Sequence, residues 1–120
     1  MDAERAAAEV VLDGRVFVGV SNSGDGDVGG ATTFTYRQDG DVVWAEYGGG
    51  AVVRGYLVGT RIRDELDFRY VHLDRDGLTA CGRCSSQIVV RPDGLVELHE
   101  EWAWESRPGT GRSVVAELPG

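Results

Sequence analysis

The sequence predicts an all-β fold: an eight-stranded antiparallel up-and-down barrel preceded by a short N-terminal helical segment. Three observations carry this. From Asp13 onward the apolar residues recur mostly at every second position, the period of a strand with two unlike faces. Eight such stretches follow at short regular spacing, separated by turn signals such as Asp39-Gly40, Asp76-Gly77 and Pro92-Asp93-Gly94. Eighteen glycines against three prolines supply tight turns rather than a stiff linker. Eight antiparallel strands in sequence close naturally into a barrel, which removes unpaired edges.

Residues 1–12 form the helical segment or tail, and 13–120 a single barrel domain. Asp2 to Val11 is short and Ala-rich, at best two marginal turns, and suits a lid over one end of the barrel or a frayed tail. Arg15 to Val20 is the first strand. Ser21 to Gly30 is a Gly- and Asp-rich loop long enough to overhang a barrel mouth. Thr32 to Gln38 and Asp41 to Tyr47 form a hairpin around Asp39-Gly40. A two-residue turn there pairs Gln38 with Asp41, Tyr36 with Val43 and Phe34 with Ala45. Phe34, Tyr36, Gln38, Val43, Ala45 and Tyr47 then share the inward face, while Trp44 and Glu46 point out.

Ala51 to Gly59 is the fourth strand and Glu65 to Leu73 the fifth, with Leu66, Phe68, Tyr70 and His72 inward. Asp74 to Gly82 is a turn-rich connection. Cys84 to Arg91 and Leu95 to Glu105 flank Pro92-Asp93-Gly94. A three-residue loop with Gly94 in the left-handed position pairs Val90 with Val96, Ile88 with Leu98 and Ser86 with Glu100. Ser113 to Leu118 closes the set. The first, fourth and last strands are apolar on both faces, and periodicity does not orient them.

Leu95 to Glu105, LVELHEEWAWE, is the most informative stretch. Its inward row is Val96, Leu98, Glu100, Trp102 and Trp104, so one carboxylate enters the lumen between apolar neighbours. A charge removed from water must be paired or neutralised. Glu100 can accept hydrogen bonds from Ser86 and a tyrosine within a structural network. It can also orient a ligand, or have a raised pKa and act as a general base. Trp102 and Trp104 are core on the plainest reading, and cavity walls if a cavity exists. His72 ends its row near a mouth, where an exposed strand-end histidine is expected.

Several function classes are excluded. The net charge is −8 with no basic cluster, which argues against nucleic acid. The twelve basic residues are all Arg, so lysine Schiff-base chemistry is absent. No apolar run reaches the roughly 18 residues of a membrane span. The N-terminus lacks a signal-peptide pattern, and two cysteines are expected to be reduced thiols, so a cytoplasmic location is expected. Cys81-Gly82-Arg83-Cys84 with His72 and His99 has the composition of a zinc set. However, His99 falls on the outward face, so no metal is expected; a turn with Cys84 buried and Cys81 exposed is the simpler reading. Gly24 to Gly30 precedes no helix and offers no Lys, so no phosphate cradle and no cofactor are expected.

The string Val20-Ser21-Asn22-Ser23, then Phe34-x-Tyr36-x-Gln38-x-Gly40, Gly55-x-Leu57-x-Gly59, Tyr70-x-His72, Gly82-x-Cys84, Glu100-x-Trp102-x-Trp104 and Gly111-x-Ser113 resembles a group of short bacterial proteins. The resemblance spans Gly14 to Leu118 and leaves out Cys81. Such proteins are often labelled N-acetylglutamate synthase, and the fold implied is calycin-like, related to lipocalin-type barrels. Acetyl transfer from acetyl-CoA normally uses an α/β fold with a pyrophosphate-binding loop before a helix, and the sequence has no such unit. The resemblance therefore implies the barrel and its inward motif residues, not that activity.

The expected function is binding of one small apolar or aromatic molecule. Tyr36, Tyr70, Trp102 and Trp104 pack on it, and Gln38, Ser86 and Glu100 orient it. The alternative is a small barrel enzyme of isomerase or cyclase type with Glu100 or His72 as the acid–base group. A third reading is an interaction protein that forms a homodimer through an outward patch containing Trp44 and Tyr56.

Overall fold

The computed structural model describes residues 2–23, 27 and 29–119. Helix α1 (Asp2–Glu9) precedes strands β1 (Val16–Asn22), β2 (Thr33–Asp39), β3 (Val42–Gly49), β4 (Val52–Ile62), β5 (Glu65–Asp74), β6 (Thr79–Val90), β7 (Val96–Trp104) and β8 (Thr110–Glu117). Each strand pairs antiparallel with the next, and β8 pairs with β1 to close the barrel. The all-β meander read from periodicity is the observed architecture. Residues 24–26 and 28 of the loop after β1 lie outside the described residues, so the expectation that it overhangs a mouth is not addressed at those positions.

Two hairpins show how register follows turn chemistry. Gly94 has φ 88, and β6 and β7 pair as Val90 with Val96, Ile88 with Leu98 and Ser86 with Glu100, as the three-residue loop predicts. The β2–β3 hairpin differs. Its two-residue loop is Gly40-Asp41, not Asp39-Gly40, with Gly40 first at φ 59. A positive φ at the first loop position suits the primed turns that match strand twist. The pairs become Gln38 with Val43, Tyr36 with Ala45 and Phe34 with Tyr47. The slip is two residues, so every side chain keeps its expected face.

Strand β6 is longer than predicted. Thr79 begins it, and Cys81-Gly82-Arg83-Cys84 lies within the strand rather than in a turn. Three residues apart on a strand, the two cysteines point to opposite faces. Cys84 is buried, Cys81 is half-buried, and both are free thiols. Among the described residues no cluster suits a metal ion.

Helix α1 covers the end of the barrel that carries the β2–β3, β4–β5 and β6–β7 turns. Its last carbonyls have no partners within the helix, and its last turn holds no basic residue. Arg61, from the inward row of β4, supplies the missing donors. Its guanidinium donates to the carbonyls of Ala7 and Ala8, each at 3.1 Å, to that of Val10, and to Gln38 Oε1 at 3.1 Å. A cation at a helix C-terminus is also favoured by the helix dipole. Beneath this seal the lumen is packed with Phe17, Tyr36, Val43, Leu66, Leu98 and Val115.

Candidate functional site

Towards the other end the lumen is not filled. A cavity of about 50 Å³ lies between Phe34, Leu57, Phe68, Tyr70 and Trp102, with Cys84, Glu100 and Ser113 on its polar side. Asn22 and Asp27, from the loop side of β1, and Tyr47 complete its lining. A water centre needs roughly 10–15 Å³, so the space holds a few waters or a comparably small solute.

Three inward-facing glycines make room for the rings around it. Gly55 pairs with Tyr47, Gly82 with Tyr70 and Gly111 with Trp102. A Cβ on any of them would fall 2.3–2.4 Å from the paired side chain. Each ring therefore lies across the bare backbone of the next strand. This bends the aromatics around the lumen instead of through it.

Glu100 is 7% exposed and sits where alternation placed it. Its partner is Ser113, whose hydroxyl donates to Oε1 at 2.8 Å. The expected partners, Ser86 and a tyrosine, do not bond to it: Ser86 Oγ and Tyr36 Oη are both buried with no partner among the described residues. Ser86 faces Glu100 across the β6–β7 ladder, but Ser113 on β8 takes the bond. Burial pushes the Glu100 carboxyl up to about 7, against a smaller lowering by the Ser113 hydrogen bond. Burial also raises the Tyr36, Tyr47 and Tyr70 hydroxyls and the Cys84 thiol well above their ordinary ranges, with the negative charge of Glu100 adding to each.

His72 is buried, not an exposed strand-end residue. Its Nε2 lies 3.0 Å from Asp27 Oδ2 and its Nδ1 2.9 Å from Tyr47 Oη. A carboxylate only accepts, so Nε2–H donates to Asp27, and Nδ1 bonds the Tyr47 hydroxyl. Tyr47 in turn stacks on Phe34 with ring centres 4.8 Å apart. At the rim Arg107 lies over the Trp104 ring at 4.1 Å and reaches Asp27 at 3.4 Å. Trp104 packs edge-on against His72 and Tyr70.

The predicted site residues thus separate into four groups. Glu100, Tyr70 and Trp102 border the cavity. Trp104 and His72 build its rim, and Tyr36 and Ser86 lie buried in the wall beneath without lining it. Gln38 is at the opposite end, where its Oε1 accepts from Leu12 N and Arg61 and its Nε2 donates to the Gly40 carbonyl. Sequence reasoning missed Asp27, Ser113, Arg61 and Arg107. Ser113 alone carried a signal, as the one hydroxyl on the inward row of β8. Arg61 is hidden in the sequence because Arg63-Asp64 turns the chain without glycine, Arg63 adopting φ 57, so periodicity ends β4 too early.

No curated protein and no solved structure matches the chain. A family model described as avidin-like protein matches residues 10–118, which takes in every strand and leaves out all of α1. With the closed eight-stranded barrel, this places the fold among the calycin-type barrels that the sequence motifs implied. The chain belongs to the avidin-like family.

Proposed function

We propose that the protein binds one small molecule in the lumen at the end opposite α1. The observation that carries this is the unfilled cavity of about 50 Å³, walled by rings and floored by a buried carboxyl group. Eight-stranded barrels either fill themselves with side chains or hold one small ligand, as lipocalins and streptavidin do. Membership of the avidin-like family supports the second use. An engineered apolar cavity of roughly 150 Å³ takes benzene. The space here therefore suits a solute of a few non-hydrogen atoms, or the head of a longer molecule whose tail leaves past Trp104. A free aromatic ligand requires Tyr70 or Trp104 to move aside. Titration with phenol, indole and butanol, followed by NMR at Phe68 and Trp102, tests this. At least one compound should shift those signals saturably, and Cys84→Met, which fills the cavity, should abolish the response. No saturable shift by any of them, or equal shifts in the filled variant, would count against lumen binding.

The raised Glu100 carboxyl favours a second reading, acid–base chemistry of isomerase or cyclase type. A group that titrates near the working pH is the most effective proton carrier. His72, held between Asp27 and Tyr47, is the other candidate. Once a substrate is known, Glu100→Gln should lower turnover about 10²- to 10⁴-fold. Unchanged turnover would remove Glu100 from the chemistry. On the outside, Val42, Trp44, Tyr56, Val58 and Val71 form an exposed apolar face across β3, β4 and β5, which supports a homodimer.

A further inference from the structure

The charges around the cavity are one-sided. Among the described residues its lining contains the acids Asp27 and Glu100 and no basic residue. Arg61 is engaged at the opposite end by α1, and Arg107, over the Trp104 ring at the rim, pairs with Asp27 and not with Glu100. The chain has no Lys to supply another cation. Glu100 receives one hydrogen bond, at Oε1 from Ser113; among the described residues nothing bonds to Oε2. A buried carboxylate without a counter-charge is costly, and a ligand that brings the counter-charge recovers that cost. The walls suit the same partner, because Tyr70 and Trp102 border the cavity and aromatic rings attract cations. An anionic ligand would place like charge beside Glu100 where screening is weak. The net charge of −8 also draws cations towards the protein.

Resting on the ligand-binding reading above, we propose that the ligand is a small protonated amine, its ammonium group against Glu100 and its carbon frame against Phe68, Tyr70 and Trp102. Neutral and anionic molecules of the same shape bind more weakly because they leave the carboxyl group without a counter-charge. The groups that face Glu100 are Tyr36 from β2, Tyr47 from β3, Tyr70 from β5, Cys84 from β6 and Ser113 from β8, all neutral near pH 7. Asp27 shares the cavity but is engaged by His72 and Arg107, so Glu100 is the acid left without a cationic partner.

The test uses propylamine, propanol and propionate, which share a frame and differ in charge. Each is titrated into the full chain at pH 8, with the NMR signals of Phe68 and Trp102 as readout. Propylamine should bind at least tenfold more tightly than propanol, and propionate should not bind. The preference should shrink several-fold between pH 8 and pH 6 as Glu100 takes up a proton, since propylamine stays charged throughout. In Glu100→Gln the two affinities should become nearly equal while propanol binding survives. Equal binding of propylamine and propanol to the wild-type chain would overturn the amine assignment and leave lumen binding standing. No response to any of the three would overturn it too, and the phenol, indole and butanol set then decides lumen binding separately.

Discussion

Glu100 is the residue on which the lumen chemistry turns, and its burial has a measurable consequence. Its carboxyl titrates at about 7 in the folded chain against an ordinary value of 4.5. The folded state therefore holds the proton more tightly than the unfolded state. That contribution is fully present below about pH 4.5 and is lost as pH rises through about 7. The loss is on the order of 3 kcal/mol, each tenfold difference in proton affinity between the two states being worth roughly 1.4 kcal/mol. Urea denaturation of wild type and Glu100→Gln across this window should show the glutamine variant gaining by that order relative to wild type. A stability difference independent of pH would contradict the burial. The sequence foresaw this carboxyl because β7 alternates strictly. It did not foresee Ser113 as the partner, because β8 has apolar residues on both faces and no periodicity to orient it. Asp27 and Arg107 lie on loops, where nothing periodic places a side chain.

At the scale of the element, the glycines of the strands explain the shape of the cavity. Gly55 looks like a weak point in β4, yet its bare backbone carries the Tyr47 ring, which in turn holds His72. Gly55→Ala puts a methyl group 2.4 Å from that ring. It should destabilise the chain by about 1–3 kcal/mol, the usual cost of overpacking. In a Tyr47→Ala background most of that penalty should vanish, and urea midpoints of the four chains would show it. An unchanged penalty would place the clash elsewhere. The same feature misled the sequence reading of Cys81-Gly82-Arg83-Cys84. Glycine and polar neighbours read as a turn, whereas Gly82 is there to admit Tyr70. Faces were legible where one row was polar, as in β5 and β7. Register was legible where the turn demanded glycine in the left-handed position, as at Gly94. At Gly40 the same residue fits two loop frames, and the frame adopted is one residue along from the one expected, which shifts the pairing by two.

The whole molecule is a barrel with two unlike ends. Helix α1 and Arg61 seal one end over a packed core, and the other keeps a ring-lined space beneath Trp104, His72 and Asp27. The closed meander was legible from eight evenly spaced strands; the division of the lumen was not, because it depends on which rings lie across which glycines. The outer face of β3, β4 and β5 belongs to this scale as well. If it joins two copies, the mass measured by light scattering should rise towards that of two chains with concentration, and Trp44→Glu should hold the protein as a monomer. A wild-type monomer at every concentration would exclude that pairing. Lumen occupancy is tested most directly by a crystal structure under xenon, which enters cavities with apolar walls. Xenon should appear within about 4 Å of Phe34, Leu57, Phe68 and Trp102, the contact distance of apolar atoms. A lumen without xenon, its rings closed onto one another, would contradict the binding site.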